Sequence, residues 1–412
     1  MARTVLGDLV VRHASVVDPD AGRVVADRRI RIVAGRIAEV APDDATAARA
    51  GELDATNRYA VPGLIDCHVH VCAMSADLGS IADQSPAYVT AHAARILEGM
   101  LWRGFTTVRD VGGADFGLAA AVDEGLLIGP RIAFGGKALS QTGGHGDPRP
   151  RGRDLHDNDY SRPGVGRVCD GVAEVRRAAR DEIRRGAHHL KIMISGGCAS
   201  PTDRVDSLQF SDEEISAIVA EATGANRYCA GHAYTAEAVN RGLRLGVRSI
   251  EHGNLLDETS IELFLRHDAF YVPTLITYVA QAEDGVRLAV DPGQLAKIAS
   301  VTEGGFRALE LAERAGVKIA FGTDLLGPMH PRQSEEFELR AKVQSPQAVL
   351  RSATTVAAAL LRSEGELGVL AEGALGDIVL ARGNPLSSVD VLARPERGIA
   401  AVVRDGILRR AS

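Results

Sequence analysis

Several things are scarce in this chain of 412 residues, and each scarcity removes a class of function. There is no excess of positive charge: 47 Lys and Arg stand against 54 Asp and Glu, a formal charge of -7, so no basic face is available for nucleic acid. No apolar run approaches the roughly 18 residues that a membrane span needs, so neither nucleic acid nor membrane is an expected partner. Cysteines number five, an odd count without a disulfide-framework spacing, and Met1 to Leu6 run into a strand pattern with no apolar signal core. A reducing, cytoplasmic location is therefore expected. Aromatic residues make up only 4% against 44 Gly, a composition of compact elements joined by many tight turns.

What is present is a change of rhythm. From Gly7 to about Tyr59, short alternating runs (Leu9 to Val17, Val24-Val25, Arg29 to Val33, Arg36 to Val40) are separated by Asp, Gly and Pro turns, the pattern of a small β domain. After Val61, strand-like runs alternate with longer amphipathic stretches. The strand candidates are Leu64 to Val71, Thr106 to Val111, Arg131 to Gly135, His188 to Ile194, Tyr228 to Ala233, Ser249 to His252, Phe270 to Thr274 and Val317 to Gly322. Helical patterns fall at Tyr88 to Trp102, Val172 to Arg185, Asp212 to Thr223, Ala236 to Leu245, Ser260 to His267 and Gly293 to Ala315. Eight such units predict an α/β fold, a (β/α)8 barrel with its chemistry at the carboxyl ends of the strands. Gly376 to Leu380 and Ala400 to Gly406 return to β pattern and are expected to pair with the first strands. The expected domains are 1–60 plus 366–412, a discontinuous β-sandwich, and 61–365, the barrel.

Potential ligands sit where a barrel enzyme needs them. His68 and His70, two apart at the end of the first barrel strand, leave on the same face and can converge on one ion. Lys191 is on the fourth strand, His232 ends the fifth, His252 ends the sixth, and Asp324 follows the eighth. Four imidazoles and a carboxylate could hold two divalent ions, with Asp324 both ligating and accepting a proton from bound water. An ammonium among cations is out of place, and alone Lys191 would read as a structural strand-end residue. In this company it reads as a site of reaction with CO2, giving a carbamate whose two oxygens could bridge the ions. His13, His92, His156 and His267 fall on surface elements or loops and read as solvated. Cys67 and Cys229 have the wrong parity for the barrel axis and read as packing, and Cys198 as pocket lining rather than a nucleophile.

The segments Pro62 to His70, Lys191-Ile192-Met193, Gly231-His232-Ala233-Tyr234, Ser249 to Gly253, Gly322-Thr323-Asp324 and the tail from Gly365 to Leu386 resemble the amidohydrolase superfamily over nearly the whole chain. Within it they look most like the imidazolonepropionase-related branch, which holds Xaa-Pro dipeptidases, Arg or Lys carboxypeptidases and ochratoxin-type amidases. The resemblance implies a binuclear centre, usually zinc, bridged by carbamylated lysine and hydroxide. The more buried ion would take His68, His70 and Asp324, the more exposed one His232 and His252, with Lys191 between. Ser140 to Asp147, after the third strand, matches the same branch. Its His145 is a candidate for polarising the scissile carbonyl, Tyr234 for donating to a substrate carboxylate or the oxyanion, and His330 or Arg332 for pairing with a carboxylate. Relatives often assemble, so a homo-oligomer is expected.

The expected activity is metal-dependent hydrolysis of an amide bond in a small molecule, with dipeptides or N-acyl amino acids bearing a free carboxylate as substrates. An aryl-amide, carbamate or urea hydrolase would use the same site. A mononuclear cyclic-amide hydrolase or deaminase would usually lack the lysine at 191, and a non-catalytic scaffold would lose ligands that are all present here.

Overall fold

The computed structural model describes residues 6–44, 46–152, 162–200, 202–284 and 292–411. His156 and the first five residues lie outside this set. Among the described residues the barrel strands are Leu64–Val69, Phe105–Asp110, Arg131–Phe134, Leu190–Met193, Cys229–Thr235, Ser249–Leu255, Phe270–Val272 and Lys318–Ile319, paired in parallel. The circle closes where Cys67 N donates to Phe321 O at 2.7 Å and Asp324 N to His68 O at 2.8 Å.

The third strand differs from expectation. It breaks after Phe134, and a second piece, Ala138–Ser140, pairs instead with Leu190–Met193 on one side and Gly166–Val168 on the other. Gly136 makes the break, with φ +73° and the Glu182 carboxylate where a Cβ would stand. The ladder is thus two arcs, one of three strands and one of seven, joined at this point by lone bonds such as His188 N to Phe134 O at 2.9 Å.

Helices Pro86–Trp102, Gly171–Arg184, Asp212–Gly224, Ala236–Arg244, Glu258–Arg266 and Pro292–Ala315 lie close to the predicted ranges. Several others were not predicted, among them Phe116–Asp123, Leu275–Asp284, Glu335–Ala341, Pro346–Ser352 and Thr355–Leu360. Phe116–Asp123 is too short to show a period and is started by Asp115, whose side chain accepts from Leu118 N. Only Pro273 and Thr274 separate Leu275–Asp284 from the preceding strand, and its largely apolar start hides the switch from strand to helix. Aliphatic residues such as Ile192, Ile250, Val239 and Leu243 fill the space between strands and helices. None of the helices among the described residues is long and apolar enough to cross a membrane.

The two ends of the chain build a second, eight-stranded sheet. Leu9–Asp18, Arg23–Val33 and Arg36–Pro42 form an antiparallel meander. Val24-Val25 and Arg29 to Val33, read as separate runs, are one strand with Asp27 at φ +50°. Ile378–Ala381 pairs antiparallel with Tyr59–Pro62, and Ile399–Arg404 and Ile407–Ala411 extend the edge. The sheet wraps around Val11, Ile30, Ile32, Ile378, Leu380 and Val403. Arg131, at the base of the third barrel strand, ties the sheet to the barrel through Asp377 at 3.0 Å and through Asp405. An Arg131→Met variant would leave two nearly buried carboxylates facing each other, and is expected to lose about 3 kcal/mol of stability in urea unfolding.

Candidate active site

The carboxyl ends of the barrel strands bring His68, His70, Lys191, His232, His252 and Asp324 into one cavity with His145 and Tyr234. His68 Nε2 and His70 Nε2 lie 3.4 and 3.3 Å from Asp324 Oδ1, and ligand atoms of the three residues all fall within 4.8 Å of one another. The His232 and His252 rings are 4.6 Å apart, and His252 is 5.0 Å from His68.

Each of the four histidines has one nitrogen tied to the protein. His68 Nδ1 meets Glu251 Oε2 at 2.8 Å, His70 Nδ1 meets Gly112 O at 2.8 Å, His232 Nε2 meets Gly196 O at 3.1 Å and His252 Nδ1 meets Thr274 Oγ1 at 2.8 Å. A carbonyl or carboxylate accepts only, so His68, His70 and His232 carry hydrogen on the tied nitrogen and turn the other nitrogen to the cavity. Ligating histidines are held in this way, because the bond outside the site fixes both tautomer and ring plane. Burial presses His232 and His252 well below the ordinary imidazole range, which keeps them neutral and able to ligate. Burial alone would raise Asp324, yet His68 and His70 hold its carboxyl well below the usual range.

Two of these side chains owe their direction to unusual backbone. His252 has φ +76° and Asp324 φ +52°, left-handed values that non-glycine residues rarely adopt. At His252 the turn breaks the alternation of the strand, so that Glu251 and His252 both serve the barrel interior. Glu251 is fully buried and takes both Arg109 Nη2 contacts at 2.8 Å. Arg109 also donates to Cys67 O and Ser249 Oγ. Sequence reading assigned no role to Arg109, Glu251 or Thr274, and alternation pointed Glu251 the other way.

Lys191 has an environment of a different kind. Its Nζ is buried and makes no hydrogen bond to any described residue. Burial drives its pKa down to about 8, against the pull of Glu251 and Asp324.

The remaining candidates separate. His145 stacks on His232 with ring centroids 4.1 Å apart, and Tyr234 stacks on His252 at 5.2 Å while its hydroxyl meets that of Tyr278 at 3.1 Å. Burial holds the Tyr234 phenol protonated and pushes the Cys198 thiol up to about 12, so Cys198 lines the cavity as a thiol. Cys67 and Cys229 pack in the hydrophobic core. Arg332 and His330 are not among the residues that line the cavity. Arg332 meets Glu283 at 2.7 Å, Asp284 at 3.2 Å and Glu335 at 2.7 Å, three carboxylates that share its guanidinium. His330 is buried with Nε2 on Ala73 O at 3.0 Å, and burial lowers its pKa to about 4. Thr277, Tyr278 and Gln281, from a helix the sequence did not reveal, occupy the wall instead.

A closed barrel with imidazoles, a carboxylate and an unpaired lysine at its carboxyl rim is the architecture of a metal-dependent hydrolase. The comparisons place it more narrowly. The model of the amidohydrolase family matches residues 59–408, and the chain belongs to that family of metal-dependent hydrolases. Ochratoxinase of Aspergillus niger is 33% identical over 351 residues, 82% of this chain and 72% of that protein. A prolidase crystallised with N-methylphosphonate-L-proline is 46% identical, covering 98% of this chain and 100% of its own, with a TM-score of 0.95. A Xaa-Pro dipeptidase crystallised with methionine in its active site is 28% identical over 98% of this chain and 100% of its own, with a TM-score of 0.88.

The state of Lys191 is open to measurement in metal-free protein. Its folded pKa lies below the value near 10.5 of an unfolded lysine, so the buried ammonium costs stability at every pH below about 8. Between about 8 and 10.5 the unfolded chain holds a proton that the folded one has released, and stability should rise with pH, by on the order of 3 kcal/mol over the whole window. Urea midpoints of chelator-treated protein should show this rise, and Lys191→Met should abolish it.

Proposed function

We propose that the protein is a binuclear metal-dependent amidase whose substrates are dipeptides or N-acyl amino acids with a free carboxylate. The observation that carries this reading is the buried, unpartnered Lys191 Nζ amid the histidines. An ammonium there has no anion in hydrogen-bond contact, whereas a neutral amine that adds CO2 and releases a proton becomes a carbamate with two acceptor oxygens. Nε2 of His68 and His70 with Asp324 would hold one ion and the untied nitrogens of His232 and His252 a second, and carbamylated Lys191 would offer its oxygens to both. When bound, the ions, zinc in this reading, supply an activated water and a Lewis acid for the carbonyl.

The side chains of the protein do the rest. Asp324, held ionised beside His68 and His70, takes the proton of the attacking water and returns it to the leaving nitrogen. The protonated Tyr234 stands at the cavity wall to donate to the carbonyl oxygen as charge builds on it, and His145 faces the substrate from the same wall. Tyr278 and Gln281 line the cavity and offer a substrate carboxylate a hydroxyl and an amide. The prolidase and Xaa-Pro dipeptidase neighbours favour dipeptides, while the likeness to ochratoxinase favours an aryl amide of an amino acid as the second reading.

Elemental analysis of the protein beside a Lys191→Ala variant, both assayed on Xaa-Pro, Xaa-Arg and N-acyl aromatic amino acids, tests this. About two metals per chain are expected, with occupancy and activity falling together in the variant by at least 100-fold. One metal per chain and an indifferent variant would overturn the bridge and point to a mononuclear cyclic-amide hydrolase or deaminase.

A further inference from the structure

The glycine-rich loop after Met193 carries a chain of hydrogen bonds that ends on His145. His145 Nδ1 lies 2.8 Å from Ser200 Oγ, and the Ser200 hydroxyl is bonded in turn to Asp203 Oδ1. The other Asp203 oxygen accepts from Gly197 N and from Gln209 Nε2, each at 3.0 Å. Ser200 and Asp203 are both buried. Lys297, reaching in from helix Pro292–Ala315, donates to the carbonyls of Gly197, Ser200 and Asp203 at 3.2, 3.2 and 2.6 Å and so fixes the loop that presents them.

The direction of the chain follows from its chemistry. A carboxylate has acceptors only, so the single hydrogen of Ser200 goes to Asp203 and its oxygen is left to take the Nδ1 hydrogen of His145. The ring therefore has its Nδ1 hydrogen turned to the loop, and Nε2 is the nitrogen left for the cavity. The plane of the ring is set as firmly as its tautomer. One face lies on His232 at 4.1 Å, and the ring fills the space a side chain at Gly197 would need. Nothing in the local sequence announces this, because Ser200 and Asp203 lie 55 and 58 residues from His145 in a loop with no regular period.

We propose that Ser200 and Asp203 are positioning residues for hydrolysis, acting through His145. They hold the imidazole in one tautomer and one flip, so that the same atom, Nε2, an acceptor in this tautomer, always meets the substrate. Without them the ring has two tautomers and two flips to choose among, and only part of the population is productive. This rests on the reading of the site as an amidase with His145 in contact with substrate, and the test separates the two.

Ser200→Ala, Ser200→Thr, Asp203→Asn and His145→Ala are compared as metal-loaded enzymes on an amide that the wild type hydrolyses, together with the double variant Ser200→Ala/His145→Ala. Ser200→Ala and Asp203→Asn are expected to lower kcat about 10- to 100-fold with KM within about threefold and metal content unchanged. Ser200→Thr, which keeps the hydroxyl, should recover most of the loss, and Ser200→Ala should cost nothing further once His145 is gone. Nitrogen-15 spectra of histidine-labelled wild type, with His145 assigned by its absence from His145→Ala, should show hydrogen on Nδ1. Unchanged kcat in Ser200→Ala, an equal loss in the His145→Ala background, or an Nε2-hydrogen tautomer would each overturn the proposal. A wild type inactive on every amide would instead sink the reading of the site, and the nitrogen-15 spectrum would still decide the tautomer.

Discussion

The site depends first on an ion pair that never meets the substrate. Arg109 and Glu251 are both fully buried inside the barrel, and each is needed to make the other tolerable there. Burial would raise the Glu251 carboxyl, but Arg109 and then His68 hold it well below its usual range, so it stays an anion. As an anion it can take both the guanidinium and the Nδ1 hydrogen of His68. Arg109 in turn reaches the carbonyl of Cys67, next to His68 in the chain. The first imidazole of the site is thus fixed from its ring and from its backbone by one pair. Removing either partner would strand a charge in the barrel as well as loosen His68, and the two losses cannot be separated.

Around this pair the chain uses backbone that ordinary strands avoid. Left-handed φ at His252, Thr274 and Asp324 costs each residue on the order of 1–3 kcal/mol and persists only because neighbours over-determine it. The neighbours are visible: Thr274 is bonded to the ring of His252, and Asp324 N to the carbonyl of His68. Strain and site therefore coincide, at the places where the regular period of a strand would have aimed the side chain elsewhere. The wall opposite is held by the segment that follows Asp324. Glu336 accepts from Ile276 N at 2.7 Å at the start of helix Leu275–Asp284, and Arg332 binds Glu283 and Asp284 at its end.

Much of this was legible in the sequence, for physical reasons. Parity put His68 and His70 on one face, the alternation of strands and helices announced a barrel, and the rule that chemistry sits at strand ends gathered His232, His252 and Asp324. What escaped did so where periodicity stops. Glu251 and His252 are adjacent, and no alternating pattern allows both to face inward. Helix Leu275–Asp284 was lost because it begins only two residues after a strand and its first turns are largely apolar. Arg332 follows Asp324 closely enough to look like a substrate partner, but a charge in a loop tells nothing of the three carboxylates that fold brings to it. Ser200 and Asp203 sit in a loop whose meaning lies wholly in what it touches.

The break at Gly136 has a mechanical side. His68 and His70 stand on the shorter arc of the barrel, while Lys191, His232 and His252 stand on the longer one, whose last strand runs on to Asp324. The two arcs meet at two seams, one at the divided third strand and one where Asp324 N binds His68 O, and neither seam is a full ladder. A barrel divided in this way is held along its seams by fewer bonds than a continuous cylinder would have. Any ligand that grips both arcs at once acts as a staple across the gap, so that filling the site and stiffening the barrel become one event.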